Sequence, residues 1–257
     1  MTDLLRITQL HKAFGRAPVL QDINLSVAKG EVLGLAGESG SGKSTLALCI
    51  AGLHAFASGE IRFNGTPLPA QRAARDFGEQ AQHIQMIFQD PLSSINPRMT
   101  IADTLLEPLR LNNIGTTEEQ QAAACWWIER IGLRVEDLQR YPHSFSGGQL
   151  QRIGIARALI NKPQLLICDE PVSALDVTTQ AQILELLSAL RKELGLTLLF
   201  ISHDLATMRQ FCDCIAVMQQ GKIVEQGNTK TVLENPQHAY TQKLVRSSPL
   251  LDEVAIF

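Results

Sequence analysis

Two stretches of this chain carry residue types that can do chemistry together: the turn Gly37-Glu38-Ser39-Gly40-Ser41-Gly42-Lys43-Ser44-Thr45 and the acid pair Asp169-Glu170. Glycines at 37, 40 and 42 permit positive φ, so the turn can curl until successive N–H groups face the oxygens of a phosphate. Lys43 is placed to reach the terminal phosphates of a nucleoside triphosphate, and the Ser44 hydroxyl is a hard ligand suited to magnesium. Asp169 is suited to hold the same metal ion and Glu170 to orient and deprotonate an attacking water. The chemistry in prospect is the binding and hydrolysis of a nucleoside triphosphate.

Such groups must be held by elements of the right kind. Glu31 to Ala36 is an apolar run of strand length that leads into the turn, and Leu46 to Ala51 continues from it as a helix, so the helix dipole adds to the anion site. Leu165 to Cys168 is a second buried strand that delivers the acids at its carboxyl end, where open α/β sheets place their ligands. Acids at a strand end can also be plain caps. Thr197 to Ser202 is a third such strand, with His203 at its end as a possible donor to the γ-phosphate or as a structural histidine. Phe14, near a turn between two alternating stretches (Leu5 to Leu10 and Val19 to Val27), can stack on a purine or pack in the core. Ser146-Gly147-Gly148-Gln149 opens a helix with apolar Leu150, Ile153, Ala156 and Leu159. It reads either as a second anion site or as an N-cap with flexible glycines.

Composition narrows the field. The chain has 257 residues, 45 % hydrophobic content and a formal net charge of -3, with pI about 6.1. It can bury a full core, and nothing in its charge suggests nucleic acid as a partner. Five cysteines, at 49, 125, 168, 212 and 214, fit buried thiols in a reducing compartment better than a disulfide framework or a metal site. The opening residues lack a secretory core and no stretch approaches the roughly 18 apolar residues of a spanning helix, so a cytoplasmic location is expected.

The pattern predicts an α/β protein: a P-loop NTPase (RecA-like) core with a leading antiparallel β-subdomain and an inserted α-helical lobe. Its parts would be an ATP-binding core over 1–89 and 163–228, an inserted lobe over 90–162 and a tail over 229–257, all within one domain. Gly59 to Gly65 reads as an edge hairpin, Gln85 to Phe88 as a buried strand ending at Gln89, and Ile101 to Leu106 and Glu118 to Ile131 as helices. Cys214 to Met218 and Lys222 to Gly227 form a closing hairpin, and Thr229 to Leu244 is helical with a break at Asn235-Pro236. The last dozen residues are expected to be poorly ordered.

Taken in this order, the motifs resemble the nucleotide-binding subunit of ATP-binding cassette (ABC) transporters over nearly the whole chain. The resemblance implies an aromatic A-loop at Phe14 and a Walker A spanning Gly37, Ser39, Gly40, Ser41, Gly42, Lys43, Ser44 and Thr45. It makes Gln89 the Q-loop glutamine, which touches magnesium and senses the membrane subunit. Phe145 to Gln149 matches the signature Leu-Ser-Gly-Gly-Gln with Phe in place of Leu. Asp169 and Glu170 match Walker B and its catalytic acid, Asp176 ends the D-loop, and His203 is the switch histidine. It also implies that two cassettes pair head to tail, so that Ser146, Gly147, Gly148 and Gln149 act on the partner's nucleotide; ATP and Mg2+ are the cofactors.

More narrowly, Ile87 to Arg98 and the tail Glu234 to Thr241 look like the peptide and nickel importer branch, whose solutes include dipeptides, oligopeptides, nickel and metal-chelator complexes. Many relatives continue with a cysteine-bearing extension, whereas this chain stops at Phe257, which favours the shorter ATPases of the branch. The partners implied are a second ABC ATPase chain, more often in a heterodimer, two transmembrane permease subunits and, indirectly, a solute-binding protein. The expected location is the cytoplasmic face of the inner or plasma membrane, held peripherally. The alternative is a soluble, non-transport ABC ATPase acting on ribosomes or DNA; one cassette, no heptads and no basic face argue against it.

Overall fold

A computed structural model describes residues 3–71, 82–90 and 94–248. Part of the branch-specific stretch after Gln89 and most of the last dozen residues, on which two of the expectations fall, lie outside the described residues. The chain divides into two compact units, Met1–Ala74 with Leu196–Phe257, and Arg75–Gly195.

In the first unit, β1 (Asp3–Phe14) and β2 (Ala17–Ala28) form an antiparallel pair, and β4 (Ser58–Phe63) joins the other edge of β1. The short β5 (Thr66–Pro67) closes this sheet. Along β1, Leu5, Ile7 and Leu10 are buried while Arg6 and Thr8 are exposed, the alternation of a strand with one face on the core. The second sheet of this unit is built on β3 (Val32–Ala36), which lies parallel to β8 (Thr197–Ile201) on one side and to β9 (Cys214–Gln219) on the other. Every residue of β3 and β8 is buried, as parallel strands covered on both faces require. β10 (Lys222–Asn228) completes the closing hairpin with β9. The helices of this unit are α1 (Lys43–Ile50), α6 (Leu205–Phe211), α7 (Thr229–Glu234) and α8 (Ala239–Arg246). The break between the last two falls at Asn235-Pro236, because a residue before proline is driven out of the helical region.

In the second unit, β6 (Ile84–Ile87) pairs in parallel with β7 (Leu165–Asp169). Among the described residues α2 (Ile101–Leu111), α3 (Thr117–Arg130), α4 (Gly147–Leu159) and α5 (Val177–Leu194) accompany them. α2 extends five residues beyond the expected Leu106, carried through Pro108 by the buried Leu105, Leu106 and Leu109. Each fully buried leucine stabilises the fold by about 1.5–3 kcal/mol, which outweighs one missing N–H bond. α3 begins in a full capping box of Thr116 and Glu119. α4 is held to its neighbours by Arg157 to Glu107 of α2 (2.8 Å) and Arg152 to Gln182 of α5 (2.6 Å).

Candidate active site

The sequence 37–45 forms the loop that its glycines predict. Gly37, Gly40 and Gly42 have φ of 147°, 80° and 106°. Gly37 is constrained twice over, since a Cβ there would stand 2.2 Å from the Met218 carbonyl oxygen of β9. No side chain caps α1. Lys43 is 6 % exposed and folds back into the loop, donating from Nζ to the carbonyls of Gly37 (2.7 Å) and Glu38 (2.9 Å) and to Ser41 Oγ (3.4 Å). The far side of the loop is tied down by Gly221 N–H, which donates to the Ser41 carbonyl (2.9 Å). The result is a buried ammonium that donates to three neutral oxygens at the mouth of a helix, where anionic oxygens would replace weaker carbonyl acceptors. Ser39 and Ser44 are exposed and Thr45 is half-buried.

His203 belongs to the same unit and to the same end of the sheet. β3 and β8 are parallel with Leu35 opposite Ile201, so Gly37 and His203 each stand two residues past that pair. The imidazole is exposed in the turn into α6, and that turn is fixed by Asp204, whose N–H donates to Ser202 Oγ (3.0 Å) and whose carboxylate accepts from Ala206 N–H. Phe14 ends β1 and is 48 % exposed. Its ring meets His54 edge to face at 5.4 Å, and Lys12 lies 4.6 Å from the ring centre. An aromatic this exposed is not core packing.

In the second unit the parallel register of β6 and β7 sets Ile87 beside Cys168. Two residues further along each strand stand Gln89 and Glu170, and Gln89 Nε2 donates to Glu170 Oε2 (3.3 Å). Asp169 closes β7, half-buried, and Glu170 is half-buried with φ of 46°. A non-glycine residue in the left-handed region costs about 1–3 kcal/mol and is kept only where neighbours enforce it. Here Ser173 enforces it, donating from both N (3.3 Å) and Oγ (3.2 Å) to the Glu170 carbonyl. Gln89 Nε2 also reaches Ser173 Oγ (3.3 Å), so this serine touches the Gln89 side chain as well as the Glu170 backbone. Sequence reasoning missed it, although a serine three residues beyond Glu170 in Glu-Pro-Val-Ser has the spacing of a turn. Burial and the neighbouring Asp169 push the Cys168 thiol well up, so it is neutral and no nucleophile.

Ser146 to Gln149 has the geometry of a complete capping box at the start of α4. Ser146 Oγ accepts from Gln149 N–H (3.3 Å) and Gln149 Oε1 accepts from Ser146 N–H (2.9 Å). Ser146 and Gly147 are exposed. Gly148 is needed for packing, because a Cβ would stand 2.4 Å from Thr179 Cγ2 in the first turn of α5. Thr179 in turn is gripped by Asp176, the N-cap of α5, through N–H (2.9 Å) and Oγ1 (2.7 Å). Those bonds, the threonine hydroxyl first, hold the Asp176 carboxyl below the usual range. Phe145, at the position where leucine was expected, is 9 % exposed beneath the Arg140 guanidinium (4.6 Å to the ring centre), so the larger ring is buried rather than wasted on solvent.

Comparison with known proteins bears on this arrangement. The ABC transporter family matches residues 20–173, and the C-terminal region of oligopeptide/dipeptide transporters matches residues 224–256. The chain is 44 % identical over 254 residues to the oligopeptide transport ATP-binding protein OppF of Bacillus subtilis, covering 97 % of this chain and 83 % of that protein. Among solved structures it is similar to cbiO1 of Clostridium perfringens, described as part of the ABC transporter complex cbiONQ: 28 % identical, covering 91 % of this chain and 92 % of that one, with a TM-score of 0.82. It is also similar to the ATP-binding cassette MJ0796 in a dimeric post-hydrolysis state bound to ADP and phosphate: 28 % identical, covering 88 % and 98 % of the two chains, with a TM-score of 0.78.

Proposed function

Because this chain belongs to the ABC transporter family of ATP-binding proteins, we propose that its ATPase activity powers the import of short peptides through a pair of permease subunits. The observation that carries the solute class is the oligopeptide/dipeptide transporter region at residues 224–256, joined to a complete cassette. That region favours peptides over the nickel or metal-chelator cargo that the same branch resemblance allowed. Among the described residues no helix is long and apolar enough to cross a membrane, so the path for the solute belongs to other chains and this subunit sits at the membrane through them, on the side where ATP is supplied. A second ATPase chain, of different sequence, completes the assembly.

The roles are those that the family resemblance implies, and the local geometry supports them. The Lys43 turn cradles the phosphates of ATP; Phe14 supplies an exposed ring for the adenine. Glu170 orients and deprotonates the water that attacks the γ-phosphate, held in its strained turn by Ser173 and aligned by Gln89. His203 donates to the same phosphate. Ser146, Gly147, Gly148 and Gln149 meet the partner chain's nucleotide, and Asp176 steadies the neighbouring helix. The catalytic core is assigned to residues 1–89 and 163–228, the signature lobe to 90–162 and the tail to 229–257. By the same resemblance Mg2+ would be held by Ser44 of the first unit and by Gln89 and Asp169 of the second, whose hydroxyl, amide and carboxylate oxygens are each hard ligands of the kind this ion takes. When bound, the ion supplies charge neutralisation at the terminal phosphates.

The test is uptake of a labelled tripeptide by cells lacking this subunit. The wild-type chain should restore uptake and Glu170→Gln should not, while the variant still binds ATP and turns it over about 10²- to 10⁴-fold more slowly. Uptake restored by Glu170→Gln would remove the residue from its role; wild-type protein that restores a different solute instead would overturn the peptide assignment.

A further inference from the structure

The C-terminal helix α8 reaches the phosphate-binding loop through a single buried phenol. Tyr240, 7 % exposed, accepts a hydrogen bond on its Oη from the backbone N–H of Glu38 at 3.0 Å. Glu38 is thereby held at both ends, since its carbonyl accepts from Lys43 Nζ at 2.9 Å. Nothing in the turn motif itself calls for this partner, which lies 202 residues away in sequence.

The phenol is held in place by its own supports. Glu225 of β10 accepts from Gln237 N–H (2.8 Å) and His238 N–H (3.0 Å), fixing the entry to α8. Burial raises the Glu225 carboxyl, but these bonds outweigh it and leave the group below its ordinary range, hence charged at neutral pH. His238 then caps α8, its Nδ1 accepting from Tyr240 N–H at 3.2 Å. The other link between α8 and the loop, Lys243 to Glu38 at 3.8 Å, joins side chains that are 76 % and 60 % exposed and contributes little.

We propose that Tyr240 is a positioning residue of the phosphate-binding loop, holding Glu38 so that Lys43 and the N–H groups after it are set for the triphosphate before ATP arrives. The C-terminal segment that distinguishes this branch is then part of the nucleotide site rather than an appendage to it. Preorganisation of this kind lowers the ordering cost of binding and leaves the chemical step alone. The inference rests on the assignment of the Lys43 turn as the ATP cradle, and the experiment separates the two.

Wild type, Tyr240→Phe and Lys43→Ala are compared as full chains. Affinity for MgATP is measured by calorimetry, KM and kcat by steady-state hydrolysis, and melting temperature without nucleotide. Losing one hydrogen bond while keeping the ring should weaken MgATP binding and raise KM about 3- to 10-fold, with kcat at saturation and the melting temperature near wild type. Unchanged or tighter MgATP binding by Tyr240→Phe, alongside lost binding by Lys43→Ala, overturns the role of the tyrosine alone. A fall in kcat and melting temperature with KM unmoved also overturns it, because that is the pattern of a purely structural contact. If Lys43→Ala binds MgATP as wild type does, it is the cradle assignment that fails.

Discussion

Two glycine-rich turns open helices in this molecule, and they complete their helix ends in opposite ways. At α4, Ser146 and Gln149 cap one another, so that end is satisfied by residues three apart in sequence. At α1 no side chain caps the helix, the preceding residue Gly42 is left-handed, and the loop keeps its shape through Lys43, Gly221 and Tyr240. A self-capped end is stable by itself and presents its glycines as a surface. An end without a cap is shaped by distant parts of the chain and keeps its amides and its ammonium for the anion we propose it binds. The same glycine-rich composition therefore closes two helix ends in different ways, in keeping with the proposal that one grips phosphate and the other meets the nucleotide of a partner chain.

The largest test of this contrast strikes the uncapped end. Lys43→Ala removes a buried charge whose proposed hydrogen bonds to phosphate would be charge-assisted, so MgATP affinity should fall about 10- to 100-fold by calorimetry. A change of less than twofold would mean that the loop amides do the gripping without the ammonium. At the capped end, Gly148→Ala should lower stability by about 1–3 kcal/mol, because the new methyl meets Thr179 Cγ2. Adding Thr179→Ser deletes that methyl while keeping the hydroxyl on Asp176, and it should recover most of the loss in thermal unfolding. Failure of the double variant to recover would show that Gly148 is required for something other than this contact. The smallest effect is Ser146→Ala, which removes half of the capping box. It should cost about 1 kcal/mol, or roughly 2–4 °C in melting temperature, measured without nucleotide. No shift would make the box redundant, and the contrast between the two helix ends would lose its physical basis.

Much of this was legible in the chain itself wherever the cause is local. Glycine at 37, 40 and 42 permits the φ values found there, and Ser146 with Gln149 three residues on has the spacing of a capping box. The all-apolar runs around β3 and β8 announce buried parallel strands, and the alternation along β1 announces a half-exposed one. Phe14 shows where local reading stops. An aromatic beside a turn has no periodicity to say which way it faces, and only the folded sheet leaves it half exposed. Ser173 was passed over for the same reason: its value depends on Gln89, which arrives from another strand.

By itself the sequence determined the element types, the loop that curls around phosphate and the acids at a strand end, because each of these follows from residues within a few positions of one another. Tertiary structure decided what those residues touch. Register alone brings Gln89 to Glu170, 81 residues apart, and sets Gly37 and His203 at the same end of two neighbouring strands. The packing of α5 is what forbids a side chain at Gly148, and the seating of α8 is what gives the Glu38 amide a phenol for a partner. Spacing along a chain encodes torsions and caps; contacts between distant residues exist only once burial has fixed which strands and helices lie side by side.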